Sequence, residues 1–319
     1  LTDERQPSEL LMIHTPQNMG TNQGEWCPHG LDPDGPVDQR EDDGRSVTFD
    51  SAPLDAALEI LGAPTLSLQL SSDKPNAFIV ARINDVAPDG ASTRVTYGVL
   101  NLTHRNDHEH PEALVPDEPY EIRLQLNDTA HAFKAGHRIR VSLSNTLWPL
   151  FWPSPEPVTL ALETGKSQLS LPVRTDCKGD EDLAPFEAPQ SARPESAKPI
   201  SPDSFERKIE RDDANGVTRL SVAIDSGMAH LTELGWEHGS VSRQHYEITD
   251  NEPNSNKAHL HWTTRFRRPE MGVDVRTETH SFLQSTPTEF HFSASLEAFE
   301  GENMVYSKNW EKKFIRDLN

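Results

Sequence analysis

Cysteine is almost missing: Cys27 and Cys177 are the only two in 319 residues. Two are too few for a disulfide framework, and their isolated spacing lacks the paired ligands of a zinc site, so a reducing, cytoplasmic setting is expected. Long apolar runs are missing as well. No stretch approaches the roughly 20 residues of a spanning helix, and the first ten, LTDERQPSEL, hold no signal-peptide core. Basic residues are outnumbered, with 30 Lys and Arg against 51 Asp and Glu and a net charge of −21. Such a surface repels phosphate backbones and anionic headgroups, which argues against nucleic acid and membrane as partners. The chain also has no Gly-x-Ser-x-Gly elbow, no His-Glu-x-x-His pair, no glycine-rich phosphate loop and no dinucleotide fingerprint. The sequence therefore points to no catalytic residue, no cofactor and no metal of its own.

What is present is β-strand pattern. In residues 129–149, Ile139, Val141 and Leu143 alternate with Arg138, Arg140 and Ser142, the period of a half-buried strand. Gly136 turns the chain into it, and Pro149 and Pro153 close the segment that follows. Around this central strand, short strands are expected at 46–49, 65–71, 78–86, 95–102, 120–126, 158–162 and 168–173, with a further one at 54–61. Eight or so short strands divided by turn signals such as Asp89-Gly90 predict an all-β fold, a sandwich or jelly roll. Residues 1–45 carry turn formers and no sustained periodicity and read as an extended lead-in. Residues 176–202 hold five prolines and no alternation, which predicts a linker between the jelly roll at 46–175 and a second unit at 203–319. The second unit alternates again over 217–224, 244–248, 259–266, 273–282, 289–299 and 304–310. Phe290, Phe292, Ala294, Leu296 and Ala298 share one face there, as in an antiparallel meander with one wet side.

Fourteen histidines raise the question of a metal. His259 and His261 share a strand face, but Leu260, Trp262 and Phe266 occupy the other, so the histidines are expected to point to solvent. His104, His108 and His110 fall in a polar loop before Pro111. A working site needs a third ligand and an open position, which neither group supplies from sequence alone. His131 and His137 flank the central strand without an evident carboxylate to orient them, and read as structural. Arg138 and Arg140 read as sheet-face residues paired with some of the many carboxylates. Trp148, Leu150, Phe151 and Trp152 form an aromatic run among prolines, suited either to plugging one end of the sandwich or to an interface.

Four stretches together carry a family likeness. The order DQRxDDxxSVTFDSAPL at 38–54, the strand 78–85 followed by VAPDG at 86–90, the strand ending LTHR at 102–105, and HAFKAGHRIRVSLS at 131–144 resemble the carboxy-terminal domain of X-Pro dipeptidyl-peptidases and CocE/NonD-type hydrolases. The likeness spans about residues 32–173. It implies a galactose-binding-domain-like jelly roll behind an α/β-hydrolase domain that holds the Ser, Asp and His of a serine hydrolase acting on peptide or ester acyl bonds. None of that triad maps onto this chain, which opens on Leu1 and is expected to be the carboxy-terminal piece of a longer polypeptide. The implied partner is that upstream catalytic domain, with homo-oligomerisation a further option. The residues expected to dock on it are Trp26, Pro36, Val37 and Asp38 in the lead-in, and Trp148, Phe151 and Trp152 in the aromatic run. An independent jelly-roll module that grips carbohydrate or another ligand through the same aromatics is the alternative. The meander at 203–319 extends beyond the shorter members of that family.

Overall fold

The computed structural model describes residues 7–25, 35–175, 179–193 and 196–318. The chain divides into two compact units. The first comprises Leu1–Leu183, Asp250–Pro253 and Asp317–Asn319; the second comprises Ala184–Thr249 and Asn254–Arg316.

The first unit is built from β1 (Leu10–Ile13), the one-turn helix α1 (Arg40–Asp43), β2 (Val47–Asp50), β3 (Leu58–Gly62), β4 (Thr65–Ser72), β5 (Phe78–Val86), β6 (Ser92–Asn101), β7 (Tyr120–Gln125), β8 (Thr129–Phe133), β9 (Arg138–Ser144) and β10 (Leu160–Ser170). Two four-stranded sheets have the orders β1-β10-β4-β7 and β2-β9-β5-β6, and β3 pairs with β8 beside them. With the β3–β8 pair set aside, the remaining strands counted in chain order run 1-8-3-6 and 2-7-4-5. Every neighbouring pair is antiparallel. That order results when one long antiparallel ribbon folds over on itself, and it is the jelly roll.

The period-2 pattern decides what fills the sandwich. From one sheet come Leu66, Leu68 and Leu70 of β4, Ile122 and Leu124 of β7, and Leu160 and Leu162 of β10. From the other come Ile79, Ala81 and Ile83 of β5 and Ile139, Val141 and Leu143 of β9. Each fully buried Leu or Ile contributes about 1.5–3 kcal/mol relative to exposure.

Four differences from the sequence reading stand out. The lead-in contains the first jelly-roll strand, β1, which pairs with β10 from the far end of the unit. Residues 158–162 and 168–173 belong largely to one strand, β10, whose register with β4 shifts between Glu163 and Gln168. Residues 129–133 form β8 rather than a plain approach to β9. The stretch read as a linker contains β11 (Ala197–Ser201).

The second unit continues with β12 (Ser204–Asp212), β13 (Val217–Leu231), β14 (Trp236–Thr249), β15 (Glu252–Arg268), β16 (Val273–Ser285), β17 (Glu289–Glu300) and β18 (Asn303–Ile315). All belong to one eight-stranded sheet of order β11-β13-β14-β15-β16-β17-β18, with β12 also on β13. A single sheet has no second layer of its own, so its fully buried hydrophobic residues are few: Leu220, Val222 and Ile248 among the described residues. Every residue of β17 from Glu289 to Phe299 is half-buried, on both faces. The expected division into a dry and a wet side is thus weak.

Candidate functional site: a polar clamp and an apolar cleft

The outer face of the β2-β9-β5-β6 sheet is not open to water. Arg82, Asn84, Ser142 and Ser144 alternate with the core residues of β5 and β9, and all four are fully buried. The lead-in lies over them, and helix α1 delivers the carboxylate that meets Arg82, Asn84 and Ser142, while Ser144 Oγ donates to Thr146 O at 3.1 Å. Asp43 accepts hydrogen bonds from Ser92 Oγ (2.7 Å), Ser142 Oγ (2.7 Å) and Asn84 Nδ2 (2.9 Å). It also stands 3.2 Å from both Arg82 and Arg140. Asp42 accepts from the backbone N–H of Gly20 and Asn22 (3.3 Å each) and from Gln23 Nε2 (3.1 Å). Gln39 completes the layer, accepting from Arg82 Nη1 at 2.8 Å and from Gln23 Nε2.

Arg140 pairs with Asp50 through two hydrogen bonds, at 2.7 and 2.8 Å, as the sequence suggested in kind. Those bonds raise its pKa and hold the Asp50 carboxyl below the usual carboxylate range. Burial pulls the Arg82 guanidinium the other way, opposed by Asp43 and Asp42. Asp42 and Asp43 of the DQRxDDxxS stretch are therefore a structural clamp: their carboxylates are consumed by the fold.

The aromatic run splits between the two roles expected of it. Trp148 is fully buried, which corrects its reading as a docking residue. The Trp148 N–H donates to Met19 O at 2.6 Å. Gly20, at φ +116°, lets the lead-in press so close that a Cβ there would sit 2.7 Å from the Trp148 carbonyl oxygen. The neighbouring Leu147 forms a small buried cluster with Met19 and Val80. Phe151 and Trp152 are half-buried at the surface. Phe151 packs against Phe78 with ring centroids 4.7 Å apart, and with Tyr97, Val99 and Leu150 it lines an open, mostly apolar cleft of about 430 Å³. Arg94 stacks over the Tyr97 ring at 4.5 Å, and burial pushes the Tyr97 phenol up. Pro36, Val37 and Asp38 are exposed, Asp38 being tied to Arg40 Nε at 2.9 Å. Trp26, like Cys27 and Cys177, lies outside the described residues.

The histidines differ from their expectation in one respect each. His131 Nε2 and His137 Nδ1 both meet a carboxylate, Asp85, at 2.9 and 2.7 Å. The orienting acid thus exists, on β5, forty-six residues from the nearer imidazole in sequence. It ties β8 and the turn that leads into β9 to β5, and no nucleophile is hydrogen-bonded to either imidazole among the described residues. His259 and His261 are half-buried, while Trp262 and Phe266 on the opposite face are 49% and 42% exposed. The two faces of β15 are nearly reversed from the reading that sent the histidines to solvent. His104 and His108 bring their Nδ1 atoms within 3.2 Å of each other in their loop.

The described residues of the first unit thus make an antiparallel jelly roll with a buried ionic clamp and an open apolar cleft. Residues 5–182 match the X-Pro dipeptidyl-peptidase C-terminal non-catalytic domain, and the chain belongs to that family. It is similar to the cocaine esterase of Rhodococcus sp. (strain MB1 Bresler), with 28% identity over 119 residues that cover 37% of this chain and 21% of the esterase. Among solved structures it is similar to an aminopeptidase from a marine sediment Thaumarchaeota archaeon. That match has a TM-score of 0.47 and 22% identity, covering 54% of this chain and 34% of the aminopeptidase. An alpha-amino acid ester hydrolase matches at a TM-score of 0.44 and 24% identity, covering 54% of this chain and 33% of the hydrolase. The chain spans about a fifth of the length of the esterase it matches. No helix among the described residues is long and apolar enough to cross a membrane.

Proposed function

We propose that this chain is the accessory carboxy-terminal region of a serine hydrolase that cleaves acyl bonds, either an X-Pro amide or an ester. In this reading the jelly roll packs on an α/β-hydrolase catalytic domain of the same polypeptide, which supplies the Ser, Asp and His. The packing walls one side of the active-site cleft and contributes to assembly. The scarcity of cysteine supports a cytoplasmic setting for the whole.

The observation that carries the reading is the cleft lined by Tyr97, Val99, Leu150 and Phe151. Its lining packs on the buried Met19, Val80 and Leu147, and Tyr97 stands opposite Arg82 across the β5–β6 ladder, on the same sheet face as the Asp43 clamp. Half-buried aromatics on a rigid support bind a partner with little loss of side-chain freedom. A stable interface buries about 1,200–2,000 Å² in total, more than one small cleft offers. The exposed Pro36, Val37 and Asp38, together with Trp152, belong to the same proposed docking surface.

The test compares this chain alone with the same chain joined to its upstream sequence, against a short-chain nitrophenyl ester and an X-Pro-anilide. Activity confined to the longer polypeptide, and weakened there by Phe151→Asp or Val99→Asp, supports the reading. Hydrolysis by the isolated chain overturns it. If the substitutions abolish binding to a glycan array and leave hydrolysis unchanged, the carbohydrate-binding alternative takes its place.

A further inference from the structure

The second unit contains a cluster that the hydrolase reading does not use. Strands β15 and β16 pair so that His261 lies directly opposite His280. Glu278 precedes His280 by two residues and therefore projects from the same face, diagonal to His261. One ligand atom from each of these three side chains lies within 4.8 Å of the other two. The His261 and His280 rings are parallel, 7° apart in plane with centroids 4.1 Å apart. Along the same face the histidine series continues: His259 stacks on His280 at 5.7 Å, and His245 of β14 on His259 at 6.5 Å.

From this geometry we propose that His261, Glu278 and His280 form a binding site for a divalent transition-metal cation of the zinc type, which staples β15 to β16. Two imidazoles and a carboxylate are a donor set that such ions accept, and three protein ligands leave a position for water or for His259. A tetrahedral centre with metal–nitrogen bonds of about 2.1 Å needs ligand atoms roughly 3.4 Å apart. Side-chain rotation on exposed or half-buried residues closes the difference from 4.8 Å without moving the strands. The donors are available. His261 makes a long contact from Nε2 to Thr263 Oγ1 at 3.4 Å, and His280 makes no hydrogen bond to the described residues. Glu278 places Oε1 3.1 Å from Arg276 Nε, which leaves its second oxygen. Arg276, paired with Glu278, and Arg243, whose charge reaches His261, oppose the cation and weaken its binding. The register explains why sequence spacing hides the site: its two histidines are nineteen positions apart and meet only across the ladder.

The test uses the full chain, freed of any polyhistidine tag, titrated with zinc chloride by calorimetry. Hydrogen exchange of β15 and β16 is followed with and without the metal. One zinc per chain, slowed exchange in those two strands, and affinity reduced about tenfold or more in H261Q/H280Q are the expected results. E278Q weakens binding several-fold, and H104Q/H108Q/H110Q, in the loop of the other unit, leaves the protection of β15 and β16 unchanged. The glutamine variants are first matched to the parent for metal-free exchange, which separates a lost ligand from a lost fold. Absence of zinc binding at sub-millimolar concentrations overturns the proposal, as does unchanged protection of β15 and β16 by zinc in H261Q/H280Q.

Discussion

Removing the Asp43 carboxylate is the severest test of the clamp. Asp43→Ala leaves the hydroxyls of Ser92 and Ser142 and the amide of Asn84 without their acceptor. It also leaves Arg82, which is fully buried, with only the neutral Gln39 and Ser46 at hydrogen-bond distance. Breaking one side of a buried ion pair costs about 3–5 kcal/mol, and each orphaned neutral donor about 1–3 kcal/mol, but these losses overlap. Water entering the space of the lost carboxylate relieves part of the sum, and Arg140 keeps Asp50. The net expectation is about 4 kcal/mol. With a urea dependence of about 2 kcal/mol per molar for a unit of this size, the midpoint falls by about 2 M. Because the chain has two units, the assay is urea-dependent hydrogen exchange read separately on peptides from β5 and β9, with β13 and β14 as internal reference. Arg82→Met added to Asp43→Ala removes the unpaired charge and restores part of the loss. A loss below about 1 kcal/mol in β5 and β9 refutes the view that this network holds the lead-in to the sheet.

Other substitutions probe separate contacts. Gly20→Ala forces a left-handed backbone on a residue with a Cβ and drives that atom into the Trp148 backbone, so the same exchange assay is expected to show a loss of more than 1 kcal/mol, roughly. An unchanged β5 signal would count against the close approach. Asp85→Asn removes the charge shared by His131 and His137; their partial exposure keeps the cost near the lower end for such bonds, about 1.5 kcal/mol, seen first as faster exchange in β8. Acid stability follows from Asp50, whose folded pKa is depressed chiefly by its hydrogen bond to Arg140. Its contribution is complete above the unfolded carboxylate value of about 3.9 and is lost as pH falls through the lower folded value. Asp50→Asn is therefore expected to flatten the decline in unit-one stability below about pH 4, and an unaltered profile would show that other carboxylates govern it.

The alternation of residues determined most of the jelly roll on its own. Leu66, Leu68 and Leu70 in β4, or Ile139, Val141 and Leu143 in β9, leave only one face able to bury, and Gly and Pro mark where each strand stops. The family likeness, too, was legible in four short stretches. What alternation cannot report is the fate of the polar face. Arg82, Asn84 and Ser142 look solvent-facing by type, and only the return of the lead-in over that sheet buries them against Asp43. β1 went unrecognised for the same reason: four residues, Leu10–Ile13, have no period of their own and become a strand only because β10 offers a free edge. In the aromatic run, composition made Trp148, Phe151 and Trp152 alike; in the structure the lead-in at Met19 and Gly20 meets the Trp148 backbone, Trp148 is buried, and Phe151 and Trp152 stay at the surface. Asp85 with His131 and His137, and Glu278 with His261 and His280, are pairings across strands. Local sequence fixes which face of a strand a side chain occupies, whereas register between strands, set by the whole sheet, fixes which side chains meet.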